Sequence, residues 1–120
     1  MTKFFILDQE WQAHKVPSHD PGLYVDGTER VGATWPMQRR IYISEELSEQ
    51  SALRVIKHEL THAYICATQA ISPEGWREED VCDLIAIYGD HICREAKKLA
   101  NIWYRVDLDC TYLGEVDKVE

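Results

Sequence analysis

Between residues 45 and 72 the chain contains neither proline nor glycine, the two residues that most readily end or kink a helix. The stretch follows Ser44 and opens on Glu45 and Glu46, and acidic residues suit the positive end of a helix dipole. One helix is therefore predicted over about residues 46–69. At roughly 100° per residue, Leu53, Ile56, Leu60, Ala63, Tyr64 and Ala67 fall on a single stripe, the face expected to pack on a sheet. His58 and His62 stand almost opposite. Their neighbours on that side, Val55, Ile65 and Cys66, are uncharged, so the helix is expected to be covered on both faces and to be the central element.

The residues before this helix read differently. Three of the four prolines and three of the six glycines precede it, a density that favours strands and turns. Short strands are expected at 4–7 and 40–44, with a turn cluster (VPSHDPG) at 16–22. A hairpin is expected between 23–25 and 30–35 around the turn signal Asp26-Gly27. A meander is the simplest connection. After the Ser72-Pro73 break a second helix is predicted from residue 73 or 74 to about residue 100, with Val81, Leu84, Ile85, Tyr88, Ile92 and Leu99 as its apolar residues. It is the expected cover for the histidine face of the first helix. The predicted fold is α+β: a short antiparallel sheet against the first helix, with a second long helix beside it. A chain of 120 residues suits one domain spanning 1–120.

Charge narrows the partners. Thirteen Lys and Arg against 21 Asp and Glu give a formal net charge of -8, the wrong sign for a surface that must neutralise phosphates. Neither nucleic acid nor an anionic membrane is an expected partner. The apolar runs are only a few residues long, short of the roughly 20 that a membrane helix needs. The N-terminal segment MTKFFILDQEW reaches Asp8 after four apolar residues, too few for the core of a signal peptide, and a cytoplasmic protein is expected. The cysteines at 66, 82, 93 and 110 form no CxxC pair and are expected to be reduced thiols.

Within the predicted helix, His58-Glu59-Leu60-Thr61-His62 is an HExxH sequence. Helix residues at i and i+4 stand one above the other, so both imidazoles can reach one Zn²⁺ at about 2.0–2.1 Å per bond. Glu59 then lies beside the metal. There it can accept a proton from a zinc-bound water and return it to a leaving amine. Chance alone produces this pattern in about 2% of chains of such length and composition, and a merely solvated helix face would carry more charge around the histidine pair.

A catalytic zinc site takes a third protein ligand and keeps a fourth position for water. The longer pattern HExxHxxGxxH fails at Ile65 and Thr68, which argues against a metzincin. Downstream, Glu79 and Asp83 share one face of the second helix. Glu79 is the leading candidate for third ligand, and Asp83 can accept the free ring N–H of a ligand histidine and hold its tautomer. Glu78, His91 and Asp83 are the alternative ligands. Tyr88, His91, Tyr104 and Arg105 are candidates to polarise a scissile carbonyl. Cys66, one turn after His62, is a candidate to line the site, whereas His14 and His19 are expected in surface loops.

HELTHAY at 58–64 followed by EDVCDLI at 79–85 resembles the gluzincin metallopeptidases, including the thermolysin-like enzymes. The resemblance covers residues 58–85 and implies that His58, His62 and Glu79 bind zinc, Glu59 is the general base and Asp83 partners His58. The strand at 40–44 resembles the zincin edge strand that pairs with an extended substrate, a grip that needs no particular peptide sequence. In length the chain is closer to the minigluzincins and to short ImmA/IrrE-type metallopeptidase domains of phage and mobile elements. It lacks room for the second lobe in which thermolysin-like enzymes carry a transition-state-stabilising histidine. The implied function is zinc-dependent hydrolysis of peptide or protein substrates. Two other expectations compete with it. One is a zinc-stabilised binding or regulatory module without activity, and the other is a latent peptidase whose acidic tail, with Asp107, Asp109 or Cys110, covers the metal.

Overall fold

The computed structural model describes residues 1–71 and 77–104. In chain order come β1 (Thr2–Ile6), β2 (Gln9–Val16), β3 (Tyr24–Val25), β4 (Thr28–Glu29), β5 (Gly32–Trp35), β6 (Arg40–Ser44), α1 (Glu49–Thr68) and α2 (Glu78–Tyr104). The architecture is α+β, with a four-stranded sheet of order β1-β2-β6-β5, a small β3-β4 ribbon and two helices. None of the described helices is long and apolar enough to cross a membrane.

The sheet is not a meander. β1 and β2 form an antiparallel pair with Phe4 opposite Trp11, but β2 pairs in parallel with β6, and β6 pairs antiparallel with β5. Between β2 and β5 the chain leaves the sheet, makes a 3₁₀ turn at Pro21–Leu23 and folds the β3-β4 ribbon. A parallel pair requires such a crossover, because a tight turn cannot reverse the chain twice. The Asp26-Gly27 turn is present, both residues having positive φ (52° and 77°), as a two-residue hairpin turn demands. Its return strand is Thr28–Glu29, and residues 32–35 pair with β6 instead. The excursion returns over the sheet face that carries Tyr42: a Cβ on Gly22 would sit 2.5 Å from the Tyr42 ring, and the Trp35 indole N–H donates to the Gly22 carbonyl at 2.7 Å.

β2 was not foreseen. Only Trp11, Ala13 and Val16 of its eight residues are buried, and the polar residues between them mask the alternation. On the helix-facing side, Phe4, Ile6, Trp11, Ala13, Ile41 and Ile43 form one buried layer with Ile56, Leu60, Ala63 and Tyr64 of α1. The predicted stripe is thus the packing face, with Ala52 added and Leu53 and Ala67 at its margin. α1 starts three residues later than expected, because Ser48 is the cap: its hydroxyl accepts the Ser51 N–H at 3.3 Å.

The largest departure concerns α2. It does not cover the histidine face; Ile92, Ala96, Leu99 and Ala100 join the same core cluster as the α1 stripe, while His58 and His62 remain exposed. The stripe holds the large side chains, so burying it from two sides removes the most apolar surface from water. Lys15 fastens the far end of α2, donating to the Trp103 carbonyl at 3.0 Å with its ammonium 4.9 Å from the Tyr104 ring centroid.

Candidate metal centre

The i, i+4 spacing delivers what helical geometry predicts. The Nε2 atoms of His58 and His62 lie 3.2 Å apart, with ring centroids separated by 4.9 Å and planes at 75°. Two nitrogens bound at about 2.05 Å to one tetrahedral zinc are about 3.3 Å apart. The pair therefore already has the bite of two zinc ligands, and the donor set fits the metal as far as these two residues go.

Glu59 is turned differently. It is only 6% exposed and points toward β5, where the Thr34 hydroxyl lies 2.6 Å from its Oε1 and 3.1 Å from its own backbone oxygen. The shorter distance assigns the hydroxyl proton to the carboxyl. Gly32 makes this approach possible: a Cβ there would meet Val55 Cγ1 at 2.6 Å and Glu59 Oε2 at 3.0 Å. Thr34 and Gly32 share the helix-facing side of β5, because successive strand residues alternate.

Together these groups wall a cavity of about 320 Å³. His58, Glu59 and His62 form one side, Gly32, Ala33 and Thr34 the other, and Val25, Arg30 and Pro36 the rim. A second cavity of about 360 Å³ shares Arg30, Gly32, His58 and Glu59 and extends to Val31, Arg54 and Val55.

Glu79 and Asp83 are not brought to this centre. Glu79 is exposed in the first turn of α2, and Asp83 lines a separate cavity with Thr68, Leu84 and Tyr88. Among the described residues no group of three or more His, Cys, Asp or Glu side chains is gathered to hold a metal ion. Glu78 is likewise exposed. His91 is exposed with its Nδ1 3.1 Å from an Arg94 nitrogen.

Tyr88 packs on Tyr64, ring centroids 5.8 Å apart, and Tyr104 lies beneath Lys15, so neither lines the histidine cavity. Arg105, Asp107, Asp109 and Cys110 lie outside the described residues. Cys66, Cys82 and Cys93 carry free thiols, the first two exposed, and Cys66 is not part of the cavity wall. His14 belongs to a strand, stacked on Tyr42 at 5.0 Å; burial first, then the Arg40 charge, lowers its pKa below 6.5. His19 is exposed and pairs with Glu29.

The strand beside the centre also differs from expectation. β6 lies inside the sheet between β2 and β5, so its backbone is already paired on both sides. Among the described residues the sheet has two edges, β1 and β5, and β5 is the one that carries Thr34 and Gly32 beside the histidine pair. A glycine inside strand-like sequence signals close approach of another element, and that signal at Gly32 points to the strand facing Glu59.

No protein-family model, no curated protein and no solved structure matches this chain.

Proposed function

We propose that the protein is a zinc-dependent metallopeptidase in which His58 and His62 bind the metal and Glu59 is the general base. The observation that carries the reading is the 3.2 Å approach of the two Nε2 atoms on a cavity that Glu59 also lines. Zinc held there would polarise a peptide carbonyl and acidify a bound water. Glu59 would accept a proton from the attacking water and return it to the leaving nitrogen. Thr34 orients Glu59 by donating to Oε1, which leaves Oε2 for the proton. The unpaired edge of β5 offers main-chain hydrogen bonds to an extended peptide laid across the cavity. No third protein ligand is assigned in this reading, because Glu79 stands exposed in the first turn of α2 and is not gathered with the histidine pair.

The first test combines metal binding and turnover. Wild-type protein should bind Zn²⁺ in calorimetric titration, and His58→Ala or His62→Ala should weaken binding by about 100-fold or more. Glu59→Gln should keep the metal and lose about a thousandfold in cleavage of unfolded protein substrates. Retained turnover in Glu59→Gln would remove the assigned base.

A second reading is favoured by the position of Glu79 and Asp83 away from the histidine pair. In it the protein is a zinc-stabilised binding module without hydrolytic activity. No cleavage by the wild type with zinc bound is the result this module requires.

A further inference from the structure

The chain carries a net charge of -8, yet two arginines, Arg30 and Arg54, line one cavity beside the histidine pair. Arg54 lies four residues before His58, on the same face of α1. Arg30 precedes β5 and lines both cavities around Glu59. Its backbone is held in place by donation from its N–H to the Leu23 carbonyl at 2.8 Å. Both side chains are exposed, and neither forms an ion pair with a described carboxylate. Val31, Gly32 and Val55 add apolar lining, and His58 and Glu59 share the same cavity, so the two arginines outnumber its one carboxyl; apolar walls strengthen the attraction of an anion that enters.

We infer that the cavity of about 360 Å³ bounded by Arg30 and Arg54 is a subsite for a substrate carboxylate. The inference rests on the peptidase reading and gives it a substrate class: peptides with an acidic side chain, or a free C-terminal carboxylate, close to the bond that is cut. A carboxylate matches the planar fork of a guanidinium and can bind each arginine through two hydrogen bonds. On an otherwise acidic surface the pair also sets direction, because the rest of the molecule repels the same group.

The test uses the full chain and three fluorescein-labelled peptides of one length. One has acidic side chains and an amidated end, one has neutral side chains and a free carboxylate, and one is neutral and amidated. Binding is read by anisotropy on Glu59→Gln protein loaded with Zn²⁺, and cleavage on the wild type. One or both carboxylate peptides should bind about tenfold more tightly than the neutral amidated one, and the preference should shrink with added salt. The tighter of the two identifies the source of the carboxylate. Arg30→Gln and Arg54→Gln, introduced singly into the Glu59→Gln protein, should each reduce the preference and together abolish it. Arg39→Gln, which removes the same charge outside both cavities, should leave it intact. Equal affinity for all three peptides, no binding of any, or a preference that survives the double arginine variant overturns the subsite. Arginine-dependent binding with no cleavage by the wild type removes the peptidase reading and keeps the subsite. Cleavage indifferent to charge does the reverse.

Discussion

Glu59 is almost fully buried, although it sits on the helix face that also carries the exposed His58 and His62. A carboxyl removed from water needs a partner, and Thr34 supplies one at 2.6 Å. Thr34→Val keeps the shape of the side chain and deletes the donor. It should cost about 1–3 kcal/mol in urea denaturation and, on the proposed peptidase reading, reduce peptide turnover without changing zinc affinity, since no hydrogen bond joins Thr34 to either histidine. Thr34→Ser should restore both stability and turnover. Unchanged stability in Thr34→Val would mean that the hydroxyl does not hold the carboxyl. The HExxH spacing reveals Glu59 as a candidate base, but its partner lies 25 positions away in sequence, where no local pattern connects the two.

The close approach of β5 to α1 is what gives the candidate site its two walls. Gly32 sits at that contact, and any side chain there runs into Val55 at 2.6 Å. Gly32→Ala should therefore destabilise the protein by about 1–3 kcal/mol through overpacking. On the proposed peptidase reading it should also impair turnover more than zinc binding, because Glu59 Cγ and Oε2 are both 3.0 Å from the added methyl. Denaturation midpoints and metal titration on the same preparations separate the two effects. A variant as stable and active as the wild type would show that strand and helix can part without cost. α1 was legible as an element because its stripe repeats with the helical period over its whole length. β2 was not, since Gln9, Gln12, His14 and Lys15 interrupt its few buried residues. The placement of α2 escaped for another reason: its apolar face fits the core from either side of α1, and only the competition for the large side chains at Ile56, Leu60 and Tyr64 decides which side it takes.

Across the whole molecule, pH acts through His14 on the sheet face opposite the core. Burial and the Arg40 and N-terminal charges lower its pKa from 6.5, against a smaller opposing effect of Asp20. The unfolded chain therefore binds more protons than the folded one just below that value, and stability rises with pH through this window and is lost as pH falls. Between about pH 7.5 and about pH 5.5, His14→Gln should lose less stability in urea titrations than the wild type. An identical loss in both proteins would assign the pH dependence to other groups. The sequence by itself determined the elements whose cause is local. These are the helix that carries HExxH, the facing of His58 and His62 four residues apart, the Asp26-Gly27 turn and the α+β class. The tertiary structure alone decided the parallel β2-β6 pairing, the place of β5 rather than β6 at a sheet edge, the burial of Glu59 against Thr34 and the lining of one cavity by both Arg30 and Arg54. Periodicity and turn chemistry act over a few residues and are written in adjacent letters. The choice among strand orders and packing faces depends on apolar burial summed over distant segments, which no single stretch of sequence contains.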